Sequence, residues 1–273
     1  MDYIVKGSDI LLNQADFNLD ETLDCGQAFR WRIVDDYPEY FRTYTGFFGK
    51  KPLTVSQLEE NGSRFLFHNT TEDDMINIWC DYFDLRTDYG EIKRRFSEDE
   101  FLSKACDYAG GIRILRQDTE ECLISFIISQ NNNIPRIKGI LNRLCEHCGG
   151  FPTFGELADT TAGDLGYLRA GFRAKYLEDC INKVNSGALK LNEIKNMSTD
   201  DAHQALMTVK GVGPKVADCV MLFGMYKIDS YPKDVWIKRV NEKHYPNGLP
   251  QCTKGIEGIA QQYLFHYIRQ NGE

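Results

Sequence analysis

The chain has 273 residues, of which 42% are hydrophobic and 26% are charged, and its formal net charge is −8. This length and composition provide for one large domain or two smaller ones with a sizeable core. The acidic balance excludes a surface coated with basic residues, although a local basic face would still attract nucleic acid, because binding depends on charge near the phosphates.

The cysteines and the N-terminal stretch indicate the cellular compartment. Nine cysteines are scattered without a disulfide-like spacing, which favours a reducing environment. The N-terminus has no charged leader followed by an apolar run, and no stretch reaches transmembrane length. We therefore expect a cytoplasmic protein without membrane contact. Cys145 and Cys148 form an isolated Cys-x-x-Cys pair that lacks a second pair at ligand spacing, so no metal site is predicted there.

The first third of the chain is predicted to form an antiparallel sheet. Apolar Phe29, Trp31 and Ile33 alternate with arginines, which is typical of a half-buried strand. Residues 40–48 and 64–68 are further strand candidates. Thr71 is predicted to cap a helix whose apolar residues recur at helical spacing, namely Met75, Ile76, Trp79 and Phe83.

From Asp118 onward the pattern is almost wholly helical. The predicted helices contain, in chain order, residues 122–127, 137–144, 174–184, 200–207 and 214–225. We place a boundary near residue 117. The expected fold class is α+β, with an antiparallel-sheet domain over residues 1–117 and a mostly α-helical domain over residues 118–273.

The most informative segment runs from Val209 to Cys219. Gly211 and Gly213 permit a tight turn, and Pro214 suits the first position of a helix. Because apolar faces lie on both sides of the turn, the segment is predicted to be a helix-hairpin-helix. Its backbone N–H groups at a helix N-terminus would bind an anion such as a DNA phosphate.

Lys215 lies in the first turn of the second hairpin helix. The positive end of the helix dipole and partial burial both disfavour a second positive charge there. A neutral amine can attack an electrophilic sugar carbon. The alternative interpretation is a solvated lysine that contacts phosphate. With Asp234 nineteen residues downstream, we favour the catalytic interpretation.

Asp234 follows a proline and precedes an apolar run, so it is predicted to be a helix N-cap. Both roles are compatible, because a capping carboxylate is rigid and ionised. Such a group suits the stabilisation of positive charge that develops on a sugar.

Three further residues have a base-binding and a structural interpretation. Cys219 lies four residues after Lys215 and shares its helix face, where it would pack against a base or simply be buried. Gln261 and Phe265 repeat this spacing on a C-terminal helix. They would provide hydrogen bonds and a stacking plane, although spacing alone favours a half-exposed helix with a core phenylalanine.

A polar run and an aromatic–cation pair extend the list of candidates. Asn131 begins an Asn-Asn-Asn run that would either end a helix or fill the space left by an extruded base. Phe172 and Arg173 pair an apolar wedge with a cation, and Arg136 adds a second cation. Aromatic wedges help to bend a duplex.

Together these segments resemble the 8-oxoguanine DNA glycosylase/AP lyases, a branch of the helix-hairpin-helix glycosylase superfamily. The match extends through most of the chain and is specific because the motifs occur in one order. Its segments are residues 25–31, 82–85, 114–118, 121–133, 171–174, 213–219, 260–261 and 264–265.

The resemblance implies a role for each matched position. Lys215 would be the Schiff-base nucleophile and Asp234 the catalytic carboxylate. Cys219 and Phe265 would sandwich the flipped base, Gln261 would contact its pairing edge, and the Gly26 carbonyl would sense the extra ring N–H of 8-oxoguanine. The remaining roles are those of DNA contacts: Asn131 would fill the stack, Phe172 would wedge the duplex, Arg136 and Arg173 would read the orphaned cytosine, and Gly211 and Gly213 would bind phosphate.

The resemblance also implies a partner and a cellular setting. The partner would be double-stranded DNA that contains 8-oxoguanine, and the enzyme would act as a monomer without a metal or organic cofactor. The eukaryotic members carry histidine where this chain has Trp236, aspartate where it has Tyr267, and tyrosine where it has Phe172. The shorter, untargeted chain fits a prokaryotic enzyme of the nucleoid.

Two other functions are alternatives to this hypothesis. A monofunctional alkylpurine glycosylase would use Asp234 and water and would not need Lys215. A non-catalytic DNA-binding module would use the hairpin for phosphate contacts alone. It would not need the lysine, the capping aspartate and the stacking pair together.

Overall fold

The computed structural model describes residues 2–272, which divide into two compact units. The first unit contains the residues up to Arg116 together with those from Asp234 onward, and the second contains Gln117–Lys233. The chain leaves the first unit after Arg116 and enters the second at Gln117, next to the boundary expected near residue 117. The return at residue 234 was not expected, because residues 118–273 were predicted to form one helical domain.

A single antiparallel sheet of six strands belongs to the first unit, in the order β1-β2-β6-β5-β4-β3. The strands are β1 Asp2–Lys6, β2 Asp9–Asn13, β3 Arg32–Ile33, β4 Arg42–Phe48, β5 Lys51–Gln57 and β6 Arg64–His68. Tyr44 pairs with Val55, and Val55 pairs with Phe67. All three side chains are buried, so this row of the sheet faces the core.

Helices occur in both units, and the second unit, Gln117–Lys233, contains no strand, which confirms the α+β prediction. In chain order they are α1 Leu19–Leu23, α2 Glu72–Asp74, α3 Cys80–Tyr82, α4 Tyr89–Phe96, α5 Glu100–Tyr108, α6 Thr119–Ser129, α7 Ile134–Cys148, α8 Ala174–Asn185, α9 Leu191–Ile194, α10 Thr199–Met207, α11 Pro214–Gly224, α12 Val235–His244 and α13 Glu257–Asn271. No helix between residues 2 and 272 is both long enough and apolar enough to cross a membrane.

The strand predicted around Phe29–Ile33 is wrong in its extent. Only Arg32–Ile33 pairs with a neighbour. Trp31 is buried and donates a hydrogen bond from Nε1 to Tyr82 Oη at 2.6 Å, whereas Ile33 is 47% exposed. The alternation of apolar residues and arginines therefore comes mainly from a loop whose aromatic side chains are buried in the core. Such a loop produces the same sequence pattern as a half-buried strand.

The helix predicted after Thr71 is present, with one local difference. Thr71 Oγ1 accepts a hydrogen bond from the Asp74 backbone N–H at 3.1 Å, as a cap should. Between α2 and α3, however, Met75–Trp79 forms a turn of π-helix. This wider turn accommodates one extra residue and leaves Ile76 partly exposed, while Met75 and Trp79 are buried.

The C-terminal helices belong to the first unit because their side chains contact α4, α5 and the chain that follows them. Tyr245 Oη donates to Asp99 Oδ1 at 2.7 Å. Tyr263 Oη donates to the Ile112 carbonyl at 3.3 Å, and its ring packs edge-on against Phe96. These contacts join residues about 150 positions apart, which local sequence patterns do not reveal.

Within the second unit, α6 and α11 pack closely enough to require a small residue. A Cβ atom at Gly224 would lie 3.0 Å from the Cβ atom of Cys122. The rings of Phe126 and Phe223 stack beside this contact with centroids 5.6 Å apart. The pair of helices therefore forms a rigid base for the N-terminal turn of α11.

Candidate functional site

The helix-hairpin-helix predicted around residues 209–219 is present as α10, a turn and α11. Gly211 has a φ of +80°, and a Cβ atom there would lie 2.3 Å from the ring of Tyr176. The Val212 N–H donates to the Val209 carbonyl at 3.0 Å. Glycine is thus required at position 211 both by the left-handed backbone and by the adjacent ring.

The turn leaves backbone donors available for an anion. The N–H groups of Gly211 and Gly213 donate to no acceptor among residues 2–272. Both precede the N-terminus of α11, where Pro214 occupies the first turn as predicted. Donors of this kind at the positive end of a helix dipole favour a phosphate group.

Lys215 is half-buried in the first turn of α11. Its Nζ atom lies 5.1 Å from the centroid of the Phe126 ring. The amine is therefore held against an apolar surface on one side, with the hairpin turn preceding it in the chain. Phe126 was predicted only as a helical apolar residue, and nothing in its local pattern indicates a contact with Lys215.

Cys219 lies one turn after Lys215 on α11 and is only 3% exposed. The thiol of Cys122 lies 4.0 Å from the Cys219 carbonyl oxygen. Burial holds the pKa of Cys122 well above its usual value, so this neighbour is an uncharged thiol. Both interpretations of Cys219 are compatible with such an apolar, uncharged environment.

Asp234 caps α12, as predicted. Its Oδ1 atom accepts hydrogen bonds from the backbone N–H groups of Trp236 at 3.1 Å and Ile237 at 2.9 Å. In the part of the chain that the structure describes, Oδ2 accepts no hydrogen bond. One oxygen atom thus fixes the carboxylate and the other is available to a partner.

Cys25, the residue before Gly26, is buried beside Gln262 and Gln261 within the first unit. Its thiol lies 3.3 Å from the Thr22 carbonyl oxygen and 3.5 Å from Gln262 Oε1, and Gln262 Nε2 donates to Gln261 Oε1 at 2.9 Å. Burial raises the pKa of Cys25 to about 12, which keeps the thiol protonated and able to donate. Gly26 follows directly with a φ of +87°.

Gln27 anchors the other side of this glycine. Its Nε2 atom donates to the carbonyls of Thr22 at 2.9 Å and Arg113 at 2.8 Å, and its Oε1 atom accepts from the Leu115 N–H at 2.9 Å. The Gly26 backbone is consequently held in place on both sides. Gln27 and Gln262 were not among the predicted site residues, because their partners lie far away in the sequence.

The departures from the eukaryotic pattern have local structural roles. Tyr267 packs edge-on against Phe101 and Tyr108, with centroids 5.6 Å and 5.5 Å away. Tyr267 therefore belongs to an aromatic cluster. Arg239 places its guanidinium 5.1 Å from the ring of Trp236.

Phe265, the candidate stacking residue, is half-buried.

Phe172 projects from the surface of the second unit with 49% of its area exposed. Its ring contacts Tyr176 edge-on at 5.5 Å, and the guanidinium of Arg173 lies 4.4 Å from its centroid. An exposed aromatic side chain that is held by two neighbours suits insertion between bases.

Arg173, the second arginine predicted to read the orphaned cytosine, is buried beside the loop at Asn131. It is 2% exposed, and its guanidinium donates to the carbonyls of Gln130 at 2.8 Å, Asn131 at 2.8 Å and Ala170 at 3.1 Å. Burial, and then the charge of Arg136, lower the pKa of Arg173. In this structure its donors are used to hold the loop at Asn131.

The asparagine run separates two helices and has three distinct roles. Asn133 caps α7 by accepting from the Arg136 N–H at 3.0 Å, and Asn132 Nδ2 donates to the Ile128 carbonyl at 3.0 Å. Asn131 is exposed with a φ of +46°, and its side chain makes no hydrogen bond to residues 2–272. Among residues 131–133, Asn131 is therefore the one whose amide oxygen and nitrogen are both available to DNA.

Arg136 lies in the first turn of α7 and is exposed. The second unit thus contains Asn131, Arg136, Phe172, Lys215 and the hairpin glycines, while Gly26, Asp234, Gln261 and Phe265 belong to the first.

Two family models match adjoining parts of the chain. Residues 9–123 match the 8-oxoguanine DNA glycosylase N-terminal domain. Residues 124–255 match the HhH-GPD superfamily base excision DNA repair protein.

Individual proteins agree with these models. The N-glycosylase/DNA lyase of Saccharomyces cerevisiae is 31% identical, over 88% of this chain and 71% of the yeast protein. The 8-oxoguanine glycosylase/lyase of Clostridium acetobutylicum, solved with double-stranded DNA containing cytosine opposite 8-oxoguanine, is 37% identical with a TM-score of 0.89 and full coverage of both chains. The structure of MBOgg1 with a low-affinity DNA ligand is 40% identical, with a TM-score of 0.90 and full coverage of both chains.

Proposed function

Because this chain belongs to the 8-oxoguanine DNA glycosylase family of the HhH-GPD superfamily and is a DNA glycosylase with AP lyase activity, we propose that it excises 8-oxoguanine from duplex DNA through a lysine Schiff base. The observation that carries this proposal is Lys215, half-buried in the first turn of the helix that follows the hairpin. The reaction belongs to base excision repair, and the enzyme acts as a monomer. Its compartment stays a prediction.

The proposed chemistry begins with base flipping. The duplex bends, Phe172 enters the stack, and the damaged purine leaves the helix for a protein pocket. The hairpin N–H groups hold the phosphate backbone, while Asn131 occupies the vacated position. The exposure of Phe172 and the available amide of Asn131 support these assignments.

Lys215 then acts as the nucleophile. Its amine attacks C1′ of the sugar, the N-glycosidic bond breaks, and 8-oxoguanine departs with the bonding electron pair and takes up the proton that the amine loses. The bond from C1′ to the ring oxygen O4′ then breaks and O4′ takes up a proton, so the sugar ring opens as the imine between Nζ and C1′ forms. Loss of a proton from C2′ next breaks the bond from C3′ to its oxygen, which cuts the strand by β-elimination. Asp234 stabilises the positive charge during these steps.

Base recognition is assigned to the first unit together with Cys219. The Gly26 carbonyl accepts the ring N–H that 8-oxoguanine has and guanine lacks, and Gln261 contacts the pairing edge. Cys219 and Phe265 contact the two faces of the base. The anchoring of Gly26 between Cys25 and Gln27 supports this assignment, because discrimination by one hydrogen bond needs a fixed acceptor.

The substrate assignment is tested by base release from three matched duplexes. These carry 8-oxoguanine, guanine or 3-methyladenine at one position, and the released base is measured by mass spectrometry together with strand cleavage. We expect release of 8-oxoguanine, followed by a cut on the 3′ side. Release of 3-methyladenine with an intact abasic strand would instead support the alkylpurine glycosylase.

Arg136 is expected to set the preference for the opposite base. Arginine has donors only, which match the two acceptors of an orphaned cytosine, whereas adenine presents a donor and is larger. We predict that 8-oxoguanine opposite cytosine is cut at least about tenfold faster than opposite adenine, from one or two lost or mismatched hydrogen bonds. Single-turnover cleavage against all four opposite bases measures this ratio.

Replacing Arg136 with Met should flatten that ratio and affect cleavage opposite cytosine less than a change at Lys215. Lys175→Met is the matched control, because Lys175 is an exposed cation of the same unit and its loss changes the net charge equally. Full retention of the ratio in the Arg136 variant would show that another group reads cytosine.

A further inference from the structure

Helix α8 begins two residues after the exposed wedge residue Phe172 and contacts the hairpin turn along one face. Tyr176, Asp179 and Lys183 are spaced three and four residues apart, so they lie on the same side of the helix. Each contacts the segment from Thr208 to Gly211. None of the three residues was predicted to be part of the site.

The ring of Tyr176 contacts two of the proposed DNA-binding features at once. Three of its ring carbons lie 2.3–2.6 Å from the position of a Cβ atom at Gly211, which means that the ring covers the hairpin turn directly. The same ring meets Phe172 edge-on, with centroids 5.5 Å apart. Tyr176 is therefore the side chain that spans the wedge and the phosphate-binding turn.

Two polar contacts fix the hairpin to the same helix. Asp179 Oδ2 accepts from the Lys210 N–H at 2.7 Å and from Lys183 Nζ at 2.9 Å. Lys183 Nζ also donates to the Thr208 carbonyl at 2.5 Å. The backbone of the hairpin is thus attached to α8 at Thr208 and Lys210, and Tyr176 is the contact residue on α8 nearest to the wedge in sequence.

We propose that Tyr176 is a positioning residue that sets the spacing between the wedge Phe172 and the phosphate-binding hairpin. The proposal rests on the proposed function, since both contacts matter only if this surface binds a bent duplex. Wedge and hairpin then engage DNA as one rigid piece. Lys215 follows Gly211 by four residues, so a shift of the turn also shifts the nucleophile, and a misplacement of about 1 Å can lower a rate by about 10²-fold.

The first test compares Tyr176→Phe with Tyr176→Ala in single-turnover excision of 8-oxoguanine. The phenylalanine variant keeps the ring and should retain the wild-type rate within about threefold, whereas the alanine variant should lose at least about tenfold. Tyr167→Ala is the matched control, because Tyr167 is a half-buried tyrosine of the same unit whose ring stacks on His147. A wild-type rate for Tyr176→Ala would overturn the proposal.

The second test is a double-mutant cycle between Gly211→Ala and Tyr176→Ala, read as affinity for a duplex with a tetrahydrofuran abasic analogue. In the wild type the added methyl group meets the tyrosine ring, whereas in the Tyr176→Ala background only the backbone strain at φ +80° opposes it. We expect the loss of affinity from Gly211→Ala to be at least about fivefold smaller in that background. Additive losses would contradict the proposal.

These readouts separate the proposal from the proposed function. Abasic-analogue binding needs no base excision, so a wild-type enzyme that is inert on 8-oxoguanine would refute the substrate assignment while the cycle still reports on Tyr176. Thermal unfolding is followed for each variant. If Tyr176→Ala unfolds at the assay temperature, Tyr176→Leu takes its place in both tests, because leucine fills the site without an aromatic edge for Phe172.

Discussion

Lys215→Gln is expected to abolish both base release and covalent trapping by borohydride, while duplex binding persists. Glutamine is similar in length to lysine and remains polar, so it fits the half-buried first turn of α11 beside Phe126. It has no nucleophilic amine. We expect single-turnover excision to fall by about 10³-fold or more, equivalent to about 4 kcal/mol of transition-state stabilisation.

Lys210→Gln provides the matched control for this variant. Lys210 belongs to the same hairpin, is exposed, and loses the same charge on substitution. Its loss should weaken duplex binding modestly and make the binding less salt-dependent, but leave the trapped adduct intact at saturating DNA. A Lys215→Gln enzyme that still forms an adduct would move the nucleophile to another amine.

Asp234→Asn is expected to separate the charge of the cap from its structural role. Asparagine is also a good N-cap, and its amide oxygen can accept the hydrogen bonds that Oδ1 of Asp234 accepts from Trp236 and Ile237. The fold should therefore persist. Loss of the negative charge should lower turnover by about 10²-fold or more, which is the size seen for other preorganised electrostatic groups.

The control for this prediction is another aspartate cap in the same unit. Asp88 caps α4 by accepting from the Glu91 N–H at 2.9 Å. Asp88→Asn should preserve both stability and single-turnover excision. If a folded Asp234→Asn enzyme excises the base as fast as Asp88→Asn does, Asp234 is a cap and nothing more.

Features that depend on neighbouring residues could be predicted from the sequence. The caps at Thr71 and Asp234 and the proline start of α11 each require only a few residues, whose chemistry is the same in any fold. The long amphipathic helices α7 and α8 were recognised for the same reason. The hairpin turn was also predicted, because glycine has few alternatives where φ is positive.

Features that depend on distant contacts could not be predicted. Strand β5 was not identified, because Pro52 is unusual in a strand and only two apolar residues, Leu53 and Val55, mark its pattern. Pairing with β4 on one side and β6 on the other holds it in the sheet. The contact between Tyr176 and Gly211 joins residues 35 positions apart, and the contact between Cys25 and Gln262 joins residues 237 positions apart. Local sequence patterns identify the chemical groups of the site. Long-range contacts determine how rigidly those groups are positioned, and local patterns do not reveal these contacts.

The most direct test of the account is borohydride trapping of the wild-type enzyme on a duplex with one 8-oxoguanine opposite cytosine, followed by peptide mapping of the adduct. Borohydride reduces an imine to a stable amine, so it records the intermediate itself. The Schiff-base mechanism predicts a covalent protein–DNA adduct at Lys215 and none with an undamaged duplex. Release of 8-oxoguanine without an adduct, or an adduct mapped to another residue, would contradict it.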